Sequence, residues 1–447
     1  MNSAMTSELL QWGLSKFKLT NFRNHQEEIV KASLNNENIM LIMETGGGKS
    51  LCFQLPAIVS PGITVVFSPL KSLVDDQVRK LQELRLPVEY VLAQTNCSTQ
   101  QKLYKKLLDE SIAKEPTFKP KMFLNQRKTF VKLLYITPER LKINSNASKV
   151  SMKDVLDSYY QQGKLTRFVV DEAHCIYQWG HDFRKAYRQT LVDLRKDYPS
   201  VPWFLCTATG TKETTDDIDR LLCFNGKLKL FLCNLDRPNL SYSVLQKPFH
   251  HSDEYQIWQL LLTKVNIHQS GIIYCYSKKL TDRVCEFLIE KGVPCVSYHA
   301  GKGNAERQYA QTEWTKGNVK VICATVAFGM GVDKKDVRWV IHATMSLSIE
   351  NYHQETGRAG RDGELSHCIL LYSPLDTIKL KQLLNYSKNK TDAYQKLQKM
   401  EQYCFDTARC RRAVLLNYFQ WNSMDTSDSV CVINNYIKCD NCVKYYE

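Results

Sequence analysis

Short apolar runs rich in β-branched residues alternate along the chain with longer stretches whose apolar positions recur every three or four residues. Runs of the first kind fall at 38–43, 63–67, 133–136, 167–170 and 203–206. A second series falls at 271–274, 293–298, 319–323, 338–342 and 367–372. Continuous apolar runs of this length read as strands buried on both faces. Strands separated by helical stretches imply parallel sheets wrapped by helices. Two series predict two α/β lobes, 1–234 and 235–375, with the break at Leu235-Asp236-Arg237-Pro238-Asn239. After about Pro374 the pattern turns helical and basic, through Lys379, Lys381, Lys388, Lys390, Lys396 and Lys399. Residues 376–447 are therefore expected to form a third, smaller helical domain. Lys114–Lys132, with two prolines and several basic residues, reads as a surface insertion.

Composition narrows the class. The 447 residues, 43% hydrophobic, suffice for two or three domains of roughly 100–200 residues each. Sixty basic against 46 acidic residues leave a net charge of +14, which favours a polyanionic partner such as nucleic acid. No apolar run approaches the roughly 18–20 residues of a membrane span. The first residues mix Lys16, Lys18 and Arg23 with Glu8, Glu27 and Glu28, without the apolar core of a signal peptide. Sixteen cysteines in such a chain point to a reducing compartment, where clustered thiols are metal ligands rather than disulfides.

Two motifs carry chemistry. Thr45-Gly46-Gly47-Gly48-Lys49-Ser50 follows the apolar run Asn38–Met43 and opens a helix that Pro56 is expected to interrupt or end. Backbone N–H groups of a Gly-rich turn at a helix N-terminus hold phosphate oxygens. Lys49 would reach the β- and γ-phosphates and Ser50 would ligate Mg²⁺. The strict pattern asks for Gly six residues before the lysine, and Met43 stands there. The second motif, Asp171-Glu172-Ala173-His174, ends the apolar run 167–170. Asp171 would hold the same Mg²⁺, and Glu172 would orient or activate the attacking water. The pair implies a machine that binds and hydrolyses a nucleoside triphosphate.

The second lobe supplies further candidates. In Gln354-Glu355-Thr356-Gly357-Arg358-Ala359-Gly360-Arg361, two arginines three apart are expected on one helical face. Arg361 is the candidate for a finger on the γ-phosphate, with Arg358 beside it. The run 324–333 is a strand entering a Gly-containing loop, where Thr325 could meet a nucleic-acid phosphate and Asp333 the nucleotide ribose. Thr207 and Thr209 end another strand of lobe one and could link the nucleotide site to a polymer track.

The residues from Phe17 to Cys442 resemble the RecQ family of superfamily 2 DNA helicases, and most the short RecQ-like helicases of animals. The most specific part of the resemblance is Asp171-Glu172-Ala173-His174 followed by Gln178-Trp179-Gly180-His181-Asp182-Phe183-Arg184. The latter resembles the family's aromatic-rich loop, which in relatives couples single-stranded DNA binding to ATP hydrolysis. Trp179 and Phe183 can stack on unpaired bases, each stack worth roughly 1–3 kcal/mol, while His181 and Arg184 add polar contacts. Phe22-Arg23-Asn24-His25-Gln26 resembles the family's nucleotide-sensing motif, so Gln26 would read the adenine edge and Arg23 would sit with it. Ser68 and Lys71, Thr137 and Arg140 follow strands of lobe one and would contact DNA phosphates. Tyr274, Ser277, His299 and Gly301 would do the same in lobe two. The resemblance implies two RecA-like lobes, ATP and Mg²⁺ as cofactors, 3′→5′ translocation, and a nuclear role in DNA repair, recombination or replication. Single-stranded DNA and 3′-tailed or forked duplexes would be the partners.

Cys410, Cys431, Cys439 and Cys442 suit a four-thiolate structural Zn²⁺ site. The seven residues between Cys431 and Cys439 exceed the spacing usual in relatives, which makes Cys404 a possible substitute ligand. Other departures are Glu44, Lys71, Tyr177, Lys185-Ala186 and Gly210, none of which removes a catalytic group. Five residues follow Cys442, where relatives continue into a winged helix whose hairpin splits the duplex. Weak or absent unwinding of long duplexes is the expectation. The alternatives are an RNA-directed motor of the same superfamily and a truncated DNA-binding or regulatory product.

Overall fold

The computed structural model describes residues 3–69, 71–114, 130–137, 149–178, 181–248, 250–329, 334–385, 390–419, 430–434 and 436–446. Residues 3–6, 177–178, 181–186, 433 and 445–446 are described by backbone alone. The chain divides into two compact units, Met1–Asn234 and Leu235–Glu447.

The first unit is built on seven parallel strands: β1 (Asn38–Ile42), β2 (Ile63–Phe67), β3 (Val88–Val91), β4 (Leu133–Ile136), β5 (Leu165–Val170), β6 (Trp203–Thr207) and β7 (Leu228–Leu232). Their order is β3-β4-β2-β5-β6-β1-β7. Register pairs Leu41 with Cys206 and Val169 with Phe204, so β6 lies between the strands that precede the two motifs. The interior strands are buried along nearly their whole length, as continuous Val, Ile, Leu and Phe runs demand. One face packs Phe53, Cys52 and Ala57 of helix Lys49–Val59 against Ile39, Leu41 and Phe204. That helix continues through Pro56, against expectation. The ring removes one backbone bond. All residues from Leu51 to Val59 are buried, and that packing holds the helix.

The second unit carries six strands: β8 (Leu240–Gln246), β9 (Ser270–Tyr274), β10 (Cys295–Tyr298), β11 (Val321–Ala324), β12 (Val337–His342) and β13 (Ser366–Tyr372). Their order is β10-β11-β9-β12-β13-β8, again all parallel. Helices Pro374–Leu384, Lys390–Phe405, Arg411–Phe419 and Asp440–Tyr446 belong to this same unit. Asp440 Oδ2 accepts the N–H of Val244 on β8 at 2.9 Å, tying the C-terminal helices to the sheet edge.

Candidate functional site

Lobe one gathers its polar groups at the carboxyl ends of β1, β5 and β6, where parallel sheets bind ligands. After β1 the chain turns through Gly46 (φ 89°) and Gly48 (φ 92°), a left-handed backbone that favours glycine. A Cβ on Gly48 would lie 2.2 Å from Gln26 Nε2, so the side chain of Gln26 requires glycine there. Gln26 Nε2 donates to the carbonyls of Gly47 and Gly48, both at 3.3 Å. Its Oε1 accepts the Arg23 N–H at 2.8 Å, while the Arg23 side chain stays exposed. Gln26, expected to read the base, and the Gly-rich loop expected to hold phosphate are thus one hydrogen-bonded assembly. Lys49 Nζ donates to Met43 O (3.1 Å) and Glu44 O (3.0 Å), folding its ammonium across the loop.

Ser50 is held by a residue the sequence did not single out. Gln77 Nε2 donates to Ser50 Oγ at 2.9 Å, and Gln54 Nε2 donates to Gln77 Oε1 at 2.7 Å and to Tyr135 Oη at 2.9 Å. No motif spacing signals this relay, because its members lie on two helices and a strand.

Asp171 follows β5. Its Oδ1 accepts from Glu172 N–H (3.0 Å) and Cys206 Sγ–H (3.3 Å). Burial, and then the neighbouring Glu172 carboxylate, push its carboxyl up to about 6, while Lys49 and the Cys206 thiol pull the other way. Glu172 adopts φ 51°, an uncommon conformation for a non-glycine residue. Its Oε2 lies 3.3 Å from His174 Nδ1, which is 2.8 Å from Thr207 Oγ1. Thr207 Oγ1 also accepts the Thr209 N–H at 3.1 Å. The structure therefore joins Asp171, Glu172, His174, Thr207 and Thr209 in one network. A Cβ on Gly210 would approach Ile42 Cδ1 to 2.8 Å, a packing reason for glycine after Thr209.

The expected DNA contacts of lobe one are placed in part. Ser68 and Thr137, after β2 and β4, are buried, and among the described residues neither hydroxyl has a hydrogen-bond partner. Lys71 is exposed, its Nζ 3.0 Å from Gln94 Oε1. Arg140 and Trp179, the side chains of His181, Phe183 and Arg184, and Asp333 in lobe two lie outside the described residues.

In lobe two the helix bearing Gln354 spans Ile349–Thr356 and stops at Gly357. Arg358 and Arg361 stand in the turn beyond it, so they do not share a helical face as expected. Gly357 ends the helix, and Gly360 takes φ 56°. Arg358 is buried and acts on Tyr274, while Arg361 is half-buried. A Cβ on Gly329 would come within 2.7 Å of Arg358 Nη2, so the loop after β11 rests on that guanidinium. The turn is gripped from below. Arg237 Nη2 donates to Ala359 O (2.9 Å) and Gly360 O (2.6 Å), and Asn239 Nδ2 donates to Gly360 O (2.8 Å) and Glu364 O (2.9 Å). Arg237 and Asn239 read in the sequence only as part of a boundary.

The other lobe-two residues expected at the DNA take these positions. Tyr274 Oη donates to Phe328 O at 3.0 Å in the interior, and Ser277 Oγ caps helix Lys278–Glu290 by accepting Leu280 N–H. His299 Nε2 lies 2.9 Å from both Asp282 oxygens, and Gly301 N–H donates to its Nδ1 at 3.2 Å. Thr325 Oγ1 accepts the Ala327 N–H at 3.4 Å.

The sulfurs of Cys410, Cys431, Cys439 and Cys442 all lie within 4.8 Å of one another, and all four residues are buried. Arg411 N–H points at Cys439 Sγ (3.3 Å), and Asn441 Nδ2 donates to Asp406 O (2.9 Å) and Arg409 O (2.8 Å). Four converging thiols with outer hydrogen bonds fit tetrahedral zinc. Cys404 is not in the cluster. Burial pushes its thiol well up, which disfavours the thiolate a metal requires.

A Gly-rich loop and a strand-end Asp-Glu pair on one parallel-sheet unit, in a chain that carries a second such unit, define the class of two-lobed nucleotide-driven motors. Three family profiles match: DEAD/DEAH box helicase at residues 23–218, helicase conserved C-terminal domain at 254–363, and RecQ zinc-binding at 374–443. The RecQ-like DNA helicase BLM of Xenopus laevis is 38% identical over 99% of this chain and 31% of its own length. The ATP-dependent DNA helicase Q1 of Rattus norvegicus is 38% identical over 96% of this chain and 63% of its own. In fold, the chain is similar to the DUF1998 helicase MrfA bound to DNA, with TM-score 0.67, 18% identity, and coverage of 96% of this chain and 57% of that one. The chain belongs to the RecQ family of helicases. It spans about a third of the frog relative and under two thirds of the rat relative. ATP and Mg²⁺ go with the DEAD/DEAH box domain, and Zn²⁺ with the RecQ zinc-binding domain and its four thiols.

Proposed function

We propose that this chain couples ATP hydrolysis to 3′→5′ movement along single-stranded DNA and opens 3′-tailed or forked duplexes, in nuclear DNA repair, recombination or replication. The observation that carries this reading is that Lys49 and Ser50 on one side and Asp171 on the other follow the two strands that flank β6, in a chain matched nearly end to end by RecQ helicases.

In this reading the N–H groups of Thr45, Gly46, Gly47 and Gly48, with Lys49, hold the phosphates, and Gln26 beside Arg23 reads the base. Ser50 and Asp171 hold Mg²⁺, which supplies charge neutralisation on the phosphates. Glu172 orients water, and Arg361, with Gln354 and Arg358, meets the developing charge. Asp333 contacts the ribose. Ser68, Lys71, Thr137, Arg140, Trp179, His181, Phe183, Arg184 and Thr325 face the DNA.

The test is an ATPase assay with single-stranded DNA, and separately RNA, run beside strand displacement on a 3′-tailed duplex. DNA-stimulated hydrolysis that vanishes in Lys49→Ala is expected. Wild-type turnover in that variant would sink the site, and preferential stimulation by RNA would replace DNA as the track.

A further inference from the structure

A second group of thiols lies far along the chain from the zinc-binding segment. Cys285 comes from helix Lys278–Glu290, Cys295 from β10 and Cys323 from β11. Their three sulfurs all lie within 4.8 Å of one another, and all three residues are buried. Cys285 and Cys295 stand 3.2 Å apart, closer than the 3.4 Å between Cys410 and Cys431 of the zinc-type cluster. Cys295 Sγ also donates to the Cys285 carbonyl at 3.1 Å. The other buried cysteines of the described residues form no such group.

The donor set decides the ligand class. Sulfur is a soft donor, and three thiolates suit an ion content with three soft ligands rather than zinc, which takes four. Among the described residues no His, Cys, Asp or Glu joins the group as a fourth donor. Ile273, Val284, Leu288 and Val321 share the same core cluster, and the charged groups acting on Cys285 are Lys302 and Asp282, of opposite sign and 3.7 Å from each other. An uncompensated charge there is costly. A monovalent or divalent ion on three thiolates leaves net negative charge, whereas a trivalent centre leaves none.

We propose that Cys285, Cys295 and Cys323 form a three-thiolate site for a soft trivalent ion, the chemistry of arsenic(III). Arsenous acid exchanges each of its three hydroxyl groups for a cysteine sulfur. Three As–O bonds break and three As–S bonds form. The three thiol protons leave in three waters, with no change of oxidation state. The adduct would pin helix Lys278–Glu290 to β10 and β11, two residues before Thr325.

The experiment adds arsenite to the reduced, zinc-loaded full chain and reads native mass and zinc content. One arsenic per chain is expected, at the mass of three lost protons, with zinc retained and a raised melting temperature. Cys285→Ser and, independently, Cys323→Ala should each weaken uptake by about tenfold or more. Melting without arsenite shows which variant is folded, so either one reads the result. No uptake, uptake accompanied by zinc loss, or uptake unchanged in a folded variant overturns the proposal.

Discussion

Arg412 Nη1 meets Asp236 Oδ1 at 2.5 Å, with both side chains almost wholly buried. The same guanidinium donates to Arg237 O and Leu240 O, each at 2.7 Å. Arg412 follows the zinc-cluster residue Cys410 by two positions, and Arg237 grips the turn that carries Arg358 and Arg361. The zinc-binding segment and the arginine turn are therefore fastened to one short stretch, 236–240, by charged donors on backbone carbonyls. Such bonds are stronger than neutral ones, and removing the donor leaves buried acceptors unsatisfied.

Arg237→Ala frees the arginine turn while leaving lobe one intact. The expected outcome is a kcat for ATP hydrolysis lowered by about tenfold or more with KM for ATP little changed, the pattern of a lost transition-state contact. Arg237→Lys should restore part of the rate, and zinc content should stay at the wild-type value. A raised KM with kcat unchanged would assign Arg237 a binding role instead.

Asp171 gives a pH dependence of known sign. Its carboxyl titrates near 6 in the fold, above its usual value of 3.8. The folded chain therefore binds the proton more tightly than the unfolded one, and stability contributed by protonated Asp171 is lost as pH rises from about 4 to about 6. Above that window the buried carboxylate costs on the order of 2–3 kcal/mol. Asp171→Asn is expected to raise the melting temperature of the nucleotide-free chain at pH 7.5 and to change it little at pH 4. Mg²⁺–nucleotide affinity of the wild type should fall as pH drops through 6, because the proton competes with the metal. A melting difference independent of pH would contradict the titration.

The four-thiol cluster makes metal content a stability measurement. One zinc per chain is expected by elemental analysis. Cys439→Ser should lower both the metal content and the melting temperature, since bound metal contributes folding energy directly. Unchanged melting in zinc-free protein would remove zinc from the stability account.

Trp179→Ala tests the aromatic-rich motif. Base stacking of roughly 1–3 kcal/mol predicts that DNA-stimulated hydrolysis falls much further than basal hydrolysis. Equal loss of both would make the residue structural.

What the sequence showed and hid follows from burial. Interior strands such as Ile63–Phe67 and Val321–Ala324 are uninterrupted apolar runs and are legible as such. The strands not anticipated, β3, β7 and β8, are all edge strands. Val88-Glu89-Tyr90-Val91 and Leu228-Lys229-Leu230-Phe231-Leu232 mix polar and apolar positions because one side meets solvent. The phosphate loop and Asp171-Glu172 are readable because their chemistry is local in sequence. Gln77 on Ser50, Arg237 under Gly360 and Arg412 on Asp236 span 27, 123 and 176 positions, and only the fold brings them together.

His174 touches Glu172 and Thr207 through the same ring atom, Nδ1. That atom presents either one hydrogen or one lone pair, never both. Thr207 Oγ1 holds that atom at 2.8 Å, and Glu172 Oε2, 3.3 Å away, makes no hydrogen bond to it. A turn of the ring toward the residue expected to orient water is a turn away from the residue expected to report on the polymer, and it needs no movement of the backbone.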